Sequence, residues 1–178
     1  HVSDVPLKIS SLKVTADTAG QQAQTTLVIN FENPSDSQLE GNFSLDLPNG
    51  ATVTGYGLDI DGVMTDGVLQ PRLQATEAYE ENLRHGVDPG LATVDAANRF
   101  TTHIFPIRAG SGRTVKIVYV TPLGLDGRFE VPLATAAAVG TTHIEVTTHS
   151  ASIQAVVALA GKPIKGKSQA AATNRFCP

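Results

Sequence analysis

The stretch "AQTTLVINFENP", residues 23–34, shows how this chain builds its structure. Three large apolar side chains, Leu27, Ile29 and Phe31, occupy every second position, and the run ends at an Asn-Pro pair. Successive side chains of a strand point to opposite faces, so this spacing predicts a β-strand with one buried face. The Asn-Pro pair predicts a turn directly behind that strand.

The same alternation recurs in residues 7–14, 41–47 and 113–119, with turn signals between the runs. Pro48 closes one strand because proline cannot donate to a sheet ladder, and Gly50 permits the turn that follows. Many short alternating segments separated by turn residues are typical of sandwiches. The sequence therefore predicts an all-β fold, mainly an antiparallel β-sandwich.

Glycine and proline also mark special positions inside the predicted strands. The pair Asp61-Gly62 is a two-residue hairpin signal. Gly55 and Gly57 lie within a strand, where missing side chains predict a bulge or a close approach by another backbone. Pro106 predicts an edge or bulged position for the same reason that Pro48 ends a strand.

One segment, "RLQATEAYEENLRHG" at residues 72–86, has the pattern of an α-helix. Glutamates crowd its first turns and Arg84 and His85 close it, which complements the helix dipole. Gly86 is placed to end the helix in a left-handed conformation. An apolar stripe suited to packing on a sheet is formed by Leu73, Ala78, Tyr79 and Leu83. We expect one packed α-helix around residues 73–85 that covers the core.

Composition narrows the functional class. The formal charge of −4 gives no basic footprint for nucleic acid. No segment reaches the roughly 18–20 apolar residues of a membrane-spanning helix. Cys177 is the single cysteine, which excludes an internal disulfide and a cysteine-based zinc site. Because the chain begins at His1 without a signal-peptide pattern, we expect a processed or trimmed piece of a longer protein.

The helix acids are one candidate for chemistry. Glu77, Glu80 and Glu81 could act as general acids or bases, with Tyr79 as a proton donor. Acids in the first turns of a helix are expected from the dipole alone, however. Cys177 could be a reactive thiol, but Arg175 is its one basic neighbour in sequence. We therefore expect no catalytic residue in either place.

A second candidate is "HIEVTTH", residues 143–149, which places His143, Glu145, Thr147 and His149 on one strand face. Histidine and glutamate on a common face can bind zinc. His143 and His149 lie about 20 Å apart along an extended strand, so they cannot share one ion without a sharp bend. A solvated polar face is the expected structure there.

A third candidate is the acidic segment "DIDGVMTDG", residues 59–67. Its aspartates, Asp59, Asp61 and Asp66, lack the regular spacing and the closing glutamate of an EF-hand loop. A hairpin turn is the simpler expectation. The sequence thus predicts no metal site and no cofactor-binding residue.

The order of four segments gives the chain a resemblance to a known family. These segments are "NFENP", "LEGNFSLDLPNGATVTGYGLDIDG", "ATEAYEENLRHGVDPGLATVD" and "RFTTHIFPIRAGSGRTVKIVYVTPL". In this order they resemble the vault protein inter-alpha-trypsin (VIT) domain, found in inter-alpha-trypsin inhibitor heavy chains and in bacterial surface proteins. The resemblance covers about Leu7 to Leu123. Its structural motif falls on Pro48, Gly50, Tyr56, Tyr79, Leu83, Gly86 and Tyr119.

The resemblance implies a division of the chain and a function. Residues 1–124 are expected to form the VIT-like sandwich. Residues 125–178 are expected to be a β-rich continuation toward a downstream von Willebrand type A domain, with a poorly ordered C-terminal tail. The implied role is a non-catalytic scaffold for protein interaction or adhesion, whose partners are that type A domain and an unknown protein ligand. We expect no contact with nucleic acid and no membrane insertion by this chain.

Two other functions stay open at this level. One is a hydrolase or metal-dependent enzyme that uses the helix carboxylates or the His143 and Glu145 face. The other is a purely structural spacer in a larger surface assembly. On family grounds we expect a secreted, periplasmic or cell-surface location in a bacterium.

Overall fold

The computed structural model describes residues 8–60, 62–71, 91–124, 128–133, 139–148, 154–159, 162–163 and 173–176. In chain order the strands are β1 (Lys8–Ala19), β2 (Gln22–Glu32), β3 (Leu39–Asp46), β4 (Thr52–Ile60), β5 (Val63–Asp66), β6 (Val68–Pro71), β7 (Leu91–Val94), β8 (Arg99–Ile107), β9 (Gly112–Pro122), β10 (Arg128–Leu133), β11 (Val139–Thr148), β12 (Gln154–Leu159), β13 (Lys162–Pro163) and β14 (Thr173–Phe176).

Two sheets carry the core. The larger has the order β14-β11-β1-β2-β9-β4-β5, and the smaller has the order β3-β8-β7-β6. A further sheet has the order β10-β12-β13. Most neighbouring strands are antiparallel, whereas β1 with β11, β6 with β7, and β10 with β12 run parallel. The predicted all-β class, mainly antiparallel, is confirmed.

The two main sheets contribute apolar side chains to one interior. Leu27 and Ile29 of β2 are buried, as are Ile117 of β9 and Ile104 of β8. Aromatic rings also meet between the sheets, since Phe31 packs edge-on against Phe43 with centroids 5.3 Å apart. Tilted and offset ring pairs of this kind add to the stability gained from burial alone. Alternating apolar positions in the sequence thus become the shared core.

A bulge explains why the apolar pattern of β1 changes phase. Ile9 and Leu12 are both buried although they are three residues apart. The register between β1 and β2 shifts between Ile9 and Ser11, which inserts an extra residue into β1. A single inserted residue moves every later side chain to the opposite face. The shift therefore keeps both apolar side chains in the core.

The turn predicted at Pro48 and Gly50 is confirmed. The backbone N–H of Ala51 donates to the Pro48 carbonyl at 3.0 Å. Gly50 has a φ of 74°, the left-handed region that favours glycine at the third position of a type II turn. Asn98 Nδ2 also donates to the Pro48 carbonyl at 2.9 Å, which holds the turn against the chain segment that precedes β8.

The predicted irregularities in β4 and β8 are also confirmed. The β4–β9 register shifts between Val53 and Gly55, so a bulge lies at the first of the two glycines. A Cβ atom on Gly57 would lie 3.1 Å from Met64 Sδ, so the glycine leaves room for a neighbouring strand. Pro106 lies where the β3–β8 register shifts, and the Phe105–Pro106 peptide is cis.

The other fold predictions have mixed outcomes. Ile60 of β4 pairs with Val63 of β5, so the hairpin predicted from Asp61-Gly62 is confirmed. The helix predicted around residues 73–85 lies outside the described residues. β11 pairs with β1 along its length, which extends the larger sheet into the C-terminal part of the chain. The proposed division after residue 124 stays a prediction.

Candidate functional site

The described residues include an open depression of about 610 Å³ at one end of the larger sheet. It lies where β1, β2, β4 and β9 run side by side and where the β8–β9 turn meets the end of β2. Polar side chains dominate its wall, among them Ser10, Asn30, Glu32, Asp59, Arg113 and Thr114. We take this depression as the candidate site and ask what its groups can do.

Asn30 connects three strands across the floor of the depression. Thr114 Oγ1 donates to Asn30 Oδ1 at 2.7 Å, and Asn30 Nδ2 donates to Ser11 Oγ. Ser10 Oγ donates to the Asn30 backbone carbonyl at 3.2 Å. Asn30 alternates with the buried Ile29 and Phe31, so it points away from the core. Its amide is therefore used as a cross-strand link.

Arg113 is the buried cation of this region, with 8% of its surface exposed. Its Nε donates to the Pro106 carbonyl at 2.8 Å, and its Nη1 donates to the Asp59 carbonyl at 3.0 Å. These bonds join β9 to the proline bulge of β8 and to the end of β4. A guanidinium with fixed, forked donors suits such a link, and burial would cost free energy without these partners. Arg113 thus has a structural role in the wall of the site.

Asn33 fixes the loop behind β2. It is 1% exposed, and its Nδ2 donates to the Ser37 carbonyl at 2.7 Å and to the Ile107 carbonyl at 3.0 Å. Its Oδ1 accepts from the Ser35 backbone N–H at 3.0 Å and from Ser35 Oγ at 2.6 Å. One amide therefore satisfies backbone groups from both the β2–β3 loop and the end of β8. The amide thus ties the β2–β3 loop to the end of β8 at the rim of the site.

Tyr56 and Thr102 form a polar bridge between the two sheets. Thr102 Oγ1 donates to the Leu91 carbonyl at 3.1 Å, so the Tyr56 hydroxyl is the donor in its 2.6 Å contact with Thr102 Oγ1. The Tyr56 ring also packs against Phe100 with centroids 5.5 Å apart. Tyr56, one of the tyrosines of the resemblance motif, therefore has a structural role in the core.

Tyr119 lies 1% exposed in the middle of β9. Burial raises the pKa of its phenol to about 12, because the charged phenolate would lie in an apolar interior. Thr25, which is opposite Tyr119 in the β2–β9 ladder, opposes that rise only weakly. The buried Thr25 hydroxyl has no hydrogen-bond partner of normal geometry among the described residues. The phenol is thus neutral at ordinary pH and belongs to the core.

The structure does not bring the sequence candidates together. Glu77, Glu80, Glu81 and Cys177 lie outside the described residues, as do Tyr79, Leu83 and Gly86 of the structural motif. His143 and Glu145 lie on β11, where they are register partners of Lys13 and Thr15 on β1. His149 lies outside the described residues, and zinc binding by that strand face stays a hypothesis.

Among the described acids of "DIDGVMTDG", Asp59 lines the depression. Its Oδ1 accepts from the Gly62 backbone N–H at 2.7 Å, a contact that closes the β4–β5 hairpin. In the described parts of the chain, no three side chains of His, Cys, Asp or Glu come close enough to hold a metal ion. The same parts contain no helix long and apolar enough to cross a bilayer.

The sequence analysis missed Arg113 and Asn33, the most buried polar groups of the site. Arg113 starts an alternating run and could as well have faced water. Asn33 precedes a proline, which indicates a turn but not burial. Both side chains are buried because β2 pairs with β9 and the β8–β9 turn lies against the end of β2. Chemically, the depression offers hydrogen-bonding groups that already hold the fold.

Comparisons with known proteins place the chain among its relatives. It is 25% identical over 146 residues to inter-alpha-trypsin inhibitor heavy chain H3 of Mus musculus, which covers 80% of this chain and 16% of that protein. It is 26% identical over 115 residues to heavy chain H3 of Homo sapiens, covering 64% of this chain and 13% of that protein. The chain thus spans about a sixth or less of these relatives.

A distant likeness to a solved structure also exists. An M1 zinc metallopeptidase from Deinococcus radiodurans aligns with 83% of this chain and 33% of its own, at a TM-score of 0.43 and 12% identity. That likeness is too remote to say anything about the chemistry of this chain. The profile of the family described as "Vault protein inter-alpha-trypsin domain" matches residues 9–119, which is more than half of the sequence. The chain therefore belongs to the vault protein inter-alpha-trypsin domain family.

Proposed function

We propose that this chain is a non-catalytic protein-interaction module that accompanies a von Willebrand type A domain in a secreted or surface protein. The observation that carries the proposal is the family match over residues 9–119. The site supports it, because Asn30, Asn33 and Arg113 spend their hydrogen bonds on the chain itself. The type A domain and an unidentified protein ligand are the proposed partners.

Family similarity and cysteine content support the location that we propose. The matched proteins are inter-alpha-trypsin inhibitor heavy chains, and the resemblance extends to bacterial surface proteins. A secreted, periplasmic or cell-surface protein of a bacterium is the location we propose. A chain with one cysteine suits a bacterial exported protein better than a disulfide-rich plasma protein.

The proposed helix has a topological argument in its favour. β6 and β7 are parallel neighbours, with Val68 opposite Leu91 and Pro71 opposite Val94. Parallel strands need a crossover connection of a dozen or more residues, which is usually an α-helix. Residues 72–90 have the required length and carry the helical pattern at 73–85. We propose a helix there as the β6–β7 crossover.

A binding experiment tests the proposed partner. The polypeptide that follows Pro178 in the full-length protein would be sequenced, and its type A domain expressed separately. We expect a saturable complex with the 178-residue chain, measured by calorimetry. The proposal fails if no type A domain follows or if the two pieces do not bind at concentrations near those that a covalent link provides, about 1 mM.

A further inference from the structure

The exposed apolar side chains are concentrated in one short segment. In the described parts of the chain, the large hydrophobic residues that remain exposed are Ile60, Val63, Met64 and Val68. We name these four the hairpin patch. Val63 is 67% exposed and Val68 is 54% exposed, although both lie in strands. Exposed apolar side chains grouped in one segment can mark an interaction surface.

Two residues of the hairpin patch, Val63 and Met64, lie on the edge strand β5. β5 is the last strand of the larger sheet and pairs only with β4 among the described strands. In the described part of the chain, the backbone N–H and C=O groups on its outer side have no strand partner. Such edges attract other chains unless charges, prolines or covering segments protect them.

The opposite design appears on β3, an edge of the smaller sheet. There, polar side chains pair across the strands instead of standing free. Asp46 accepts a hydrogen bond from Arg99 Nε at 2.6 Å, and Glu40 lies 3.6 Å from His103 Nε2. Charges on an edge strand discourage the addition of another strand. On β5, by contrast, the apolar side chains of Val63 and Met64 are exposed.

Charge indicates what kind of strand would fit. Residues 52–71 contain three aspartates, at positions 59, 61 and 66, and no Lys, Arg or His. A partner strand that carries basic side chains would be attracted to this segment, whereas an acidic one would be repelled. A second copy of this chain would bring the same aspartates against each other, which disfavours self-pairing.

We propose that the open edge of β5 adds an extended segment of a partner protein in which apolar residues alternate with Lys or Arg. The added strand would take its affinity from backbone hydrogen bonds and its specificity from alternate side chains. Val63 and Met64 are consecutive, so they point to opposite faces of the sheet. In the added strand, the apolar side chains would lie on the face of Val63, and the basic side chains would lie on the opposite face, which Met64 shares with Asp66. The proposal rests on the proposed interaction function and adds a surface and a partner chemistry to it.

Synthetic peptides give a direct test on the 178-residue chain. A fluorescent eight-residue peptide of alternating Val and Lys would be compared with a twin in which Glu replaces Lys. A third peptide would carry N-methyl groups on alternate amides, which removes the donors that a strand needs. We expect saturable binding of the Lys peptide by fluorescence anisotropy, with at least about tenfold weaker binding of the other two.

Substitutions on the protein locate the site. Val63→Thr keeps the shape and strand propensity but removes an apolar methyl, and it should weaken Lys-peptide binding several-fold. Asp66→Lys should weaken Lys-peptide binding several-fold and reduce the preference for the Lys peptide over the Glu peptide, because Asp59 and Asp61 remain. The matched control is Glu40→Lys, the same charge change on the protected edge strand β3, which should leave both affinities unchanged. Thermal unfolding would confirm that each variant is folded.

Several outcomes would overturn the proposal. Equal binding of the Lys and Glu peptides, or unchanged binding after Asp66→Lys, would show that the charge argument is wrong. Absence of binding to either peptide would show that the edge is covered by another part of this chain. A dimer in sedimentation that disappears with Val63→Thr would assign the edge to a second copy. If the type A domain binds Val63→Thr and Asp66→Lys as it binds the wild type, this surface is wrong while the proposed function stands.

Discussion

Tyr119 gives a residue-scale prediction about alkaline stability. The pKa of an unfolded tyrosine is about 10, and burial raises that of Tyr119 to about 12. The unfolded chain therefore loses its proton first. The stability that comes from keeping the phenol neutral is fully present below about pH 10 and is lost as pH rises through about 12. We expect the free energy of unfolding to fall by about 1 kcal/mol between about pH 9 and about pH 11 from this group.

Tyr119→Phe isolates the effect, because it removes the titrating group and keeps the ring. Urea unfolding of both proteins across that pH range gives the comparison, and the difference in slope is the measured quantity. Other groups titrate equally in the two proteins. Parallel pH curves would mean that the phenol reaches water in the folded state.

Single residues also show where prediction from sequence stops. The turn at Gly50 was predictable, because a left-handed φ favours one residue type and Pro48 precedes it. The burial of Arg113 was not predictable, because its partners, Pro106 and Asp59, are distant in sequence or belong to another strand. A turn depends on adjacent residues and can be predicted locally, whereas strand pairing determines the hydrogen-bond partners of a buried polar group. Most contacts of the candidate site depend on strand pairing in this way.

At the scale of elements, the close contact between β2 and β9 gives a second prediction. A Cβ atom at Gly112 would lie 2.6 Å from the Phe31 carbonyl oxygen, which is a backbone atom and cannot rotate away. Gly112→Ala should therefore force the two strands apart and lower the free energy of unfolding by about 2 kcal/mol or more.

The matched control is Gly55→Ala on β4. Its new Cβ atom would meet Val118 Cβ at 3.4 Å, an ordinary van der Waals contact with a side chain. Its stability should stay within about 1 kcal/mol of the wild type. The urea midpoints of the two variants are compared, and equal midpoints would contradict the close approach of Gly112 to the Phe31 carbonyl.

The elements themselves were largely predictable, whereas their neighbours were not. Alternation identified the strands at residues 23–34 and 113–119, because a half-buried sheet enforces a period of two. Nothing in residues 139–148 indicated that β11 lies beside β1, because parallel partners leave no turn signal between them. The bulge in β1 is a similar case. Its phase change is visible in Ile9 and Leu12 only once the register with β2 is known.

For the whole molecule, the pairing of β1 bears on the proposed division after residue 124. β1 lies between β2 and β11, and Ile9 and Ser11 through Thr18 have register partners on β11. A fragment of residues 1–124 would leave β1 as an edge strand. We expect this fragment to be less stable than the 178-residue chain by several kcal/mol, out of the roughly 5–15 typical of a domain.

Urea unfolding and sedimentation of the two proteins measure this effect. The longer chain should show a higher midpoint, and the fragment should self-associate through its exposed strand. An equally stable, monomeric fragment would support an independent domain that ends at residue 124.

The pairing of β1 with β11 also has a consequence for the nascent chain during synthesis. About 120 residues separate the end of β1 from the start of β11, and ribosomes add roughly 5–20 residues per second. For about ten seconds, β1 can pair with β2 but not yet with β11. During that time the N–H and C=O groups on its β11 side have no strand partner. Whatever shields nascent chains in the cell must protect β1 through that interval, because β11 is made about 120 residues after β1.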